Sequence, residues 1–494
     1  MMTEAETKSG ILRDADVWSG GINIAGWRRG GAGERSVVEP ATGAVLGMVG
    51  LASVEDVDRA AARAVEAQKE WAARKPEDRA AVLRRAGQLW EEHAGEVGDW
   101  IVREAGSVPA KAGLEVHTAA AECFEGAALS TAPAGEVLAT NEERWSFARR
   151  RPVGVVSVIA PFNFPLILAI RAVAPALALG NAVLLKPDPR TAVSGGVSIM
   201  RIFEDAGLPQ GLLSLLPGGA DVGAALVEHP AVRVIAFTGS TRAGRIIGET
   251  AGRLLKRAHL ELGGNNAMIV LPGVDLAAAA SAAAFGSYLH QGQICMTTGR
   301  HLVHTDVYDA YVDALAEKAR NLPVGDPARE AVALGPIIDT HERDRIDTVV
   351  RNAVDAGARL VAGGQPAGAG YLPTVLADVQ PDNPAWRQEI FGPVAPVMRF
   401  STVDEAVALA NDSDYGLSAS ILGDVGMAMQ IADRLESGKV HVNEQTVSDE
   451  AYAPFGGVKD SGNGGRVGGA TANLDAFTET QWVTLRSSIA PYPF

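Results

Sequence analysis

Between Val153 and Phe237, short β-branched apolar runs alternate with segments of helical length. The runs are Val153–Ala160 (VGVVSVIA), Asn181–Leu185 (NAVLL), Leu212–Leu216 (LLSLL) and Val232–Phe237 (VRVIAF), with helical stretches near 191–206 and 221–228 between the later ones. Runs this short and this apolar read as strands buried on both faces. Joined through intervening helices, they require right-handed βαβ crossovers and a parallel sheet. Ligands in such sheets collect beyond the C-terminal strand ends, so the turns that follow these runs are where chemistry is expected.

The pattern restarts near Gly263. Ala267–Val270 reads as a strand, Asp275 to about Gln291 as a helix, and the alternation continues through Val440, which predicts a second α/β domain. Two domains also suit 494 residues, because a single core stops growing near ~250–300. Ahead of Arg151, residues 1–50 read as irregular strands and turns. Ser53, followed by Glu55 and Asp56, opens a helix, the hydroxyl capping it and the acids favouring its positive end. Further helical stretches run from about Pro76 to Ala105 and from Glu115 to about Ser130. Glu143–Arg151, with Trp145 and Phe147 set between charges, reads as a strand that leaves the body to pair elsewhere. Thr480–Leu485 alternates as a strand does.

The net charge is −15, which disfavours phosphate backbones and anionic lipid surfaces, so neither nucleic acid nor membrane is expected as a partner. Only two cysteines occur, Cys123 and Cys295. They form neither a disulfide framework nor a zinc-ligand spacing, no metal is expected, and the chain suits a reducing compartment. The N-terminal stretch MMTEAETKSGILRDAD lacks the basic-then-apolar pattern of a secretory signal. The apolar stretch Val153–Ile170 is interrupted by Pro161, Asn163 and Pro165 and followed by Arg171, so a strand, a loop and a helix start explain it better than a membrane span. The expected location is the cytoplasm.

Three blocks carry candidate chemistry. Cys295 lies in Gln291-Gly-Gln-Ile-Cys-Met296, near the end of an apolar helix. A thiol is a strong nucleophile where its pKa is lowered, but a lone cysteine is as readily a small buried hydrophobe; Cys123, mid-helix, has only that second reading. Glu261 ends an apolar strand in Glu261-Leu-Gly-Gly264. A carboxylate there costs free energy unless it is paired or serves as a base. Asn163, in Pro161-Phe-Asn-Phe-Pro165, could present a fixed amide to an oxyanion or simply close a turn.

Taken in order, PFNFP, FTGSTRAG (237–244), ELGG, QGQICM, EIFGP (389–393) and PFGGVKDSGNGG (454–465) resemble the signature blocks of the NAD(P)-dependent aldehyde dehydrogenase superfamily across nearly the whole chain. The 34 positions between Glu261 and Cys295 resemble the hydrolytic members. The resemblance implies that Cys295 attacks the aldehyde carbon and that Asn163 and the Cys295 N–H hold the oxyanion. Hydride then passes to the nicotinamide, and Glu261 activates water to hydrolyse the thioester. It implies cofactor contacts from Lys186, Gly239, Ser240, Gly244, Leu262, Glu389, Phe391 and Phe162. The fold implied is two Rossmann-like, doubly wound α/β domains with a small β oligomerisation arm. Its cofactor domain comprises 1–136, 151–262 and 441–479, its catalytic domain 263–440, and its arm 137–150 with 480–494, making a homodimer or homotetramer.

NAD is the expected cofactor. Pro189 stands where strongly NAD-selective relatives carry a glutamate, so Asp188 is a possible substitute and Arg190 a possible phosphate receptor for NADP. The stretch Ser287–Arg300 resembles most the family's bacterial benzaldehyde and vanillin dehydrogenases, the benzaldehyde type above all. An aromatic aldehyde is therefore the expected substrate, with Phe162, Leu289, Ile294 and Phe455 as apolar walls. The competing expectations are aliphatic aldehydes or semialdehydes, acyl transfer to coenzyme A, which the presence of Glu261 opposes, and a non-catalytic binding protein.

Overall fold

A computed structural model describes residues 10–12 and 14–494. Most of the N-terminal stretch in which no secretory signal is expected, and the beginning of the 1–136 unit, lie outside the described residues.

Two seven-stranded sheets organise the chain. The first runs in the order Arg257–Glu261, Val232–Thr238, Val155–Ile159, Ala182–Lys186, Leu213–Leu215, Gly21–Asn23, Trp27–Arg29. Its first five strands are parallel, and the two N-terminal ones pair antiparallel at the far edge. Val155–Ile159 and Ala182–Lys186 are buried along their whole length, as strands covered on both faces must be.

The second sheet runs Arg359–Ala362, Thr374–Ala377, Val394–Phe400, Thr298–His304, Asn266–Val270, Ser418–Leu422, Lys439–Val442. Successive side chains of one strand enter different cores. Ala267, Ile269 and Leu271 join one apolar cluster, while Met268 and Val270 join another on the opposite face. That period of two is the pleat of a doubly wound sheet. The first core gathers residues from Ile11 to Leu262 and then Val467, Ala476 and Phe477. The strand Lys439–Val442 belongs to the second sheet, so the chain returns to the first core only after it.

Several local readings need correction. The expected helix from Pro76 to Ala105 is two, Pro76–Glu92 and Ala94–Ala105, broken at His93. The next helix starts earlier than expected, at Pro109, and ends at Leu129. The helix opened by Asp275 ends at Tyr288, because His290 and Gln291 take positive φ of 49° and 58°. At Ser53 the expectation holds, with a full capping box closed by Asp56.

Gly135–Val137, Trp145–Pro152 and Thr478–Leu485 form a separate three-stranded antiparallel sheet. It leaves Trp145 and Trp482 exposed, at 66% and 62%. The apolar stretch 153–170 resolves into the strand Val155–Ile159 and the beginning of the helix Ile167–Ala178. No described helix is long and apolar enough to cross a membrane.

Candidate active site

The C-terminal ends of the first sheet's strands open into a cleft of about 470 Å³. Its walls include Phe162, Asn163, Lys186, Gly239, Ser240, Leu262, Cys295, Glu389 and Phe391, so most of the residues singled out from sequence converge there. Gly244, Glu261, Leu289, Ile294 and Phe455 are not on that wall.

Cys295 follows the positive-φ break at His290 and Gln291, in the turn that leads to the strand Thr298–His304. The break is pinned by Gln291, whose Nε2 donates to the carbonyls of Gly106 (3.0 Å) and Pro336 (2.7 Å). Asn266 Nδ2 donates to the carbonyls of Cys295 (2.9 Å) and Thr297 (2.7 Å), fixing the cysteine backbone. The Cys295 N–H has no acceptor among the described residues.

Asn163, 3% exposed, donates from Nδ2 to the Gln293 carbonyl at 2.8 Å. An amide nitrogen carries two hydrogens, so this bond orients the group and leaves one N–H for a ligand beside Cys295. The backbone of Asn163 is held separately. Lys111 Nζ donates to its carbonyl (2.7 Å) and sits 4.1 Å over the Phe164 ring. Lys111 is paired with Glu115, both side chains fully buried, and Glu115 accepts from the N–H groups of Leu166 and Ile167.

Glu261 is 5% exposed, and neither carboxylate oxygen has a hydrogen-bond partner in the protein. Burial pushes its pKa well above the usual carboxylate range, against the opposing pull of Arg466, Arg171 and Lys439. A buried carboxyl raised in this way is a competent proton acceptor near neutrality. Its main chain is clamped by the C-terminal block. Leu262 N–H donates to the Ser461 carbonyl (3.0 Å), and Ser461 Oγ donates to the Gly263 carbonyl (2.7 Å).

The two glycines after Leu262 explain themselves sterically. A Cβ on Gly263 would stand 2.3 Å from Glu389 Oε2, and one on Gly264 2.4 Å from the Cys295 carbonyl oxygen. Gly264 N–H donates to Glu389 Oε1 at 3.0 Å. Burial raises the Glu389 pKa to about 7, with that hydrogen bond and Arg345 opposing.

On the opposite wall, Ser240 caps the helix Thr241–Arg253, whose N-terminal end, with its unpaired N–H groups, is suited to a phosphate. Gly244 has a packing role rather than a cleft-lining one, since a Cβ there would meet Leu262 Cδ2 at 2.3 Å. Phe162 faces Phe391 edge-on at 6.0 Å and carries the Arg190 guanidinium 4.3 Å over its ring, which sets it apart from the other three expected apolar walls. Arg190 pairs with Asp188 and Asp339, each at 2.9 Å. With its charge answered by two carboxylates, it is a poor receptor for a further phosphate.

Behind the thiol, Ile294, Met296, Leu417 and Phe455 form a small apolar cluster on which Leu289, Phe164, Val447 and Cys295 pack. Leu289, Ile294 and Phe455 thus belong to the cluster on which Cys295 packs, not to the wall of the cleft. Burial pushes the Cys295 thiol up to about 12, with Lys439 opposing and Glu389, Glu261 and Asp449 adding to the rise. Sequence reasoning missed Lys111, Glu115, Arg345 and Lys439. Lys111 and Glu115 stand four apart on one helix, a spacing that pairs charges, yet nothing in the sequence indicates that their helix is buried.

Known proteins similar to this chain identify its family. The family model described as the aldehyde dehydrogenase family matches residues 27–483, and the chain belongs to that family. It is 61% identical to a vanillin dehydrogenase of an Amycolatopsis species over 97% of this chain and 99% of the relative. It is 48% identical to a benzaldehyde dehydrogenase (NAD+) of Pseudomonas putida over 98% and 99%. Among solved structures, a salicylaldehyde dehydrogenase of Pseudomonas putida, complexed with salicylaldehyde, superposes with a TM-score of 0.92 at 36% identity, covering 96% of this chain and 99% of that one.

Replacing Lys111 with Met should leave Glu115 charged and unpaired in the interior. Removing one partner of a buried ion pair costs about 3–5 kcal/mol, so the denaturation midpoint should fall clearly. A Lys111→Met variant as stable as the wild type in a urea titration would show that the brace contributes little.

Proposed function

We propose that the protein oxidises aromatic aldehydes to carboxylic acids with NAD+, Cys295 acting as nucleophile, Asn163 as oxyanion donor and Glu261 as base. The observation that carries this reading is the meeting, at one thiol on the cleft wall, of an oriented amide and a backbone N–H with no acceptor among the described residues, with an apolar cluster packed behind them. The names of the relatives, vanillin and benzaldehyde dehydrogenase, support the same substrate class, with benzaldehyde or a close relative as the first candidate. The Cys295 sulfur adds to the aldehyde carbon, and the oxyanion of the resulting thiohemiacetal takes hydrogen bonds from Asn163 Nδ2 and the Cys295 N–H. NAD+ supplies the acceptor for the hydride. The thioester left on Cys295 is then hydrolysed by water that Glu261 deprotonates.

The residues present fit the dinucleotide. The capped helix N-terminus, Lys186 and Glu389 share one cleft with Cys295, and a carboxylate such as Glu389 accepts hydrogen bonds from ribose hydroxyls. Arg190, committed to Asp188 and Asp339, supports NAD+ over its phosphorylated form. So does the NAD+ in the name of the Pseudomonas relative.

The exposed aromatic residues and open edges of the three-stranded sheet support its use as an oligomerisation arm, making a homodimer or homotetramer. Light scattering on the eluted protein should report a multiple of the chain mass; a particle of monomer mass refutes the arm.

With benzaldehyde or vanillin and NAD+, Cys295→Ala should lose at least about a thousandfold in kcat/KM, roughly 4 kcal/mol of transition-state stabilisation. Glu261→Gln should give a burst of NADH followed by slow turnover. A wild type that prefers hexanal or succinic semialdehyde to both aromatic aldehydes removes the substrate assignment. Full activity in Cys295→Ala removes the mechanism.

Glu389 supplies a pH dependence. Its charged form accepts the ribose hydroxyls, and its pKa in the free protein is raised to about 7. NAD+ affinity should therefore be full above pH 7 and weaken as pH falls through it, by up to about tenfold per unit. Calorimetric titration of Glu389→Gln should show weaker binding with that dependence gone; an unchanged slope would exclude Glu389 as its source.

A further inference from the structure

Lys439 opens the last strand of the second sheet, Lys439–Val442, and its side chain runs inward instead of out to solvent. Its Nζ stands 2.7 Å from Met296 Sδ, 4.1 Å from the centre of the Phe455 ring and 3.3 Å from the Ser448 carbonyl. Met296 and Phe455 belong to the apolar cluster on which Cys295 packs, so ammonium and thiol share one small apolar environment. An ammonium has three N–H donors and a strong demand for a counter-charge when buried. A thioether is a weak acceptor, and the carbonyl contact is long. Among the described residues no carboxylate makes a direct ion pair with Lys439; Asp449 and Glu261 act on it only through space.

The other cations nearby are already committed. Arg171 is paired with Glu122 (3.0 Å) and Asp449 (2.7 Å). Arg466 donates to the carbonyls of Gly457 and Gly465. The carboxyl groups that act through space on Cys295 are Glu389, Glu261 and Asp449, which when charged oppose ionisation of the thiol, while Lys439 alone among the principal influences favours it.

We propose that Lys439 is the counter-cation of the Cys295 thiolate, a positioning residue that acts through the nucleophile rather than on the substrate. When the thiol ionises, the S–H bond breaks, its electron pair stays on sulfur and the proton leaves to solvent. The ammonium then gains the anionic partner that it otherwise lacks among the described residues, and the thiolate gains a cation that no carboxylate already holds in a direct ion pair. Both interactions strengthen in a setting from which water is largely excluded. The inference rests on Cys295 being the nucleophile, but not on which aldehyde it attacks.

The test needs no aldehyde. The rate of Cys295 alkylation by iodoacetamide, a neutral probe, is followed against pH in the full-length protein, with mass spectrometry separating Cys295 from the fully buried Cys123. Lys439→Met should move the inflection to higher pH by about one unit or more, a rate near neutrality about tenfold lower, with the plateau at high pH kept. Lys439→Arg, which retains the charge, should stay near the wild-type curve. If the Met variant does not fold, Lys439→Gln takes its place against Lys439→Arg. An inflection unchanged by loss of the charge overturns the proposal. So does a rate lowered by one factor at every pH, which would mean altered access. Failure of the substrate assignment would appear in turnover assays and leave this curve untouched.

Discussion

The ion pair of Lys111 with Glu115, closed off from solvent beside the first core, is the interaction on which the site's geometry depends. Its three further contacts matter most, since Lys111 holds the Asn163 carbonyl and Glu115 holds the N–H groups of Leu166 and Ile167. Those N–H groups belong to the N-cap and the first residue of the helix Ile167–Ala178 and have no partner within it. A buried pair is expensive to form, because two ions lose their hydration. Here the desolvated charges organise a loop between two prolines. Asn163 is consequently gripped at both ends, by Lys111 at its backbone and by Gln293 at its side chain.

The same exclusion of water sets the chemistry around Cys295. Burial raises the thiol and both carboxyl groups, Glu261 and Glu389, so the site favours neutral forms until a cation or a ligand intervenes. For a base, a raised pKa is useful. For the thiol it is an obstacle, and the placement of Lys439 across the apolar cluster answers that obstacle.

The signature blocks, scattered along the chain, prove to be pieces of one contact network. Gly263 and Gly264 are small because Glu389 and the Cys295 carbonyl press against them. Ser461 reaches back to the chain just after Glu261. Asn163 touches the main chain two residues before Cys295. A substitution in one block therefore displaces the reactive groups of another, which is a physical reason for the blocks to occur together.

Much of this was legible in the sequence. Continuous apolar runs separated by helical segments imply a parallel sheet whatever the side-chain details, and the blocks at two strand ends and one helix end marked Asn163, Glu261 and Cys295. Glu389 and Lys186 were legible by resemblance. The break after Tyr288 was not, because His290 and Gln291 carry no signal for positive φ; contacts with Gly106 and Pro336, distant in sequence, stabilise it. Nor could the sequence show that Gly244 serves packing, that Arg190 is neutralised by Asp339, or that Lys111 and Lys439 are buried. Hydrophobic periodicity is local and survives in one dimension. The partner of a buried charge is chosen by which segments meet in space, and only the tertiary structure decides that.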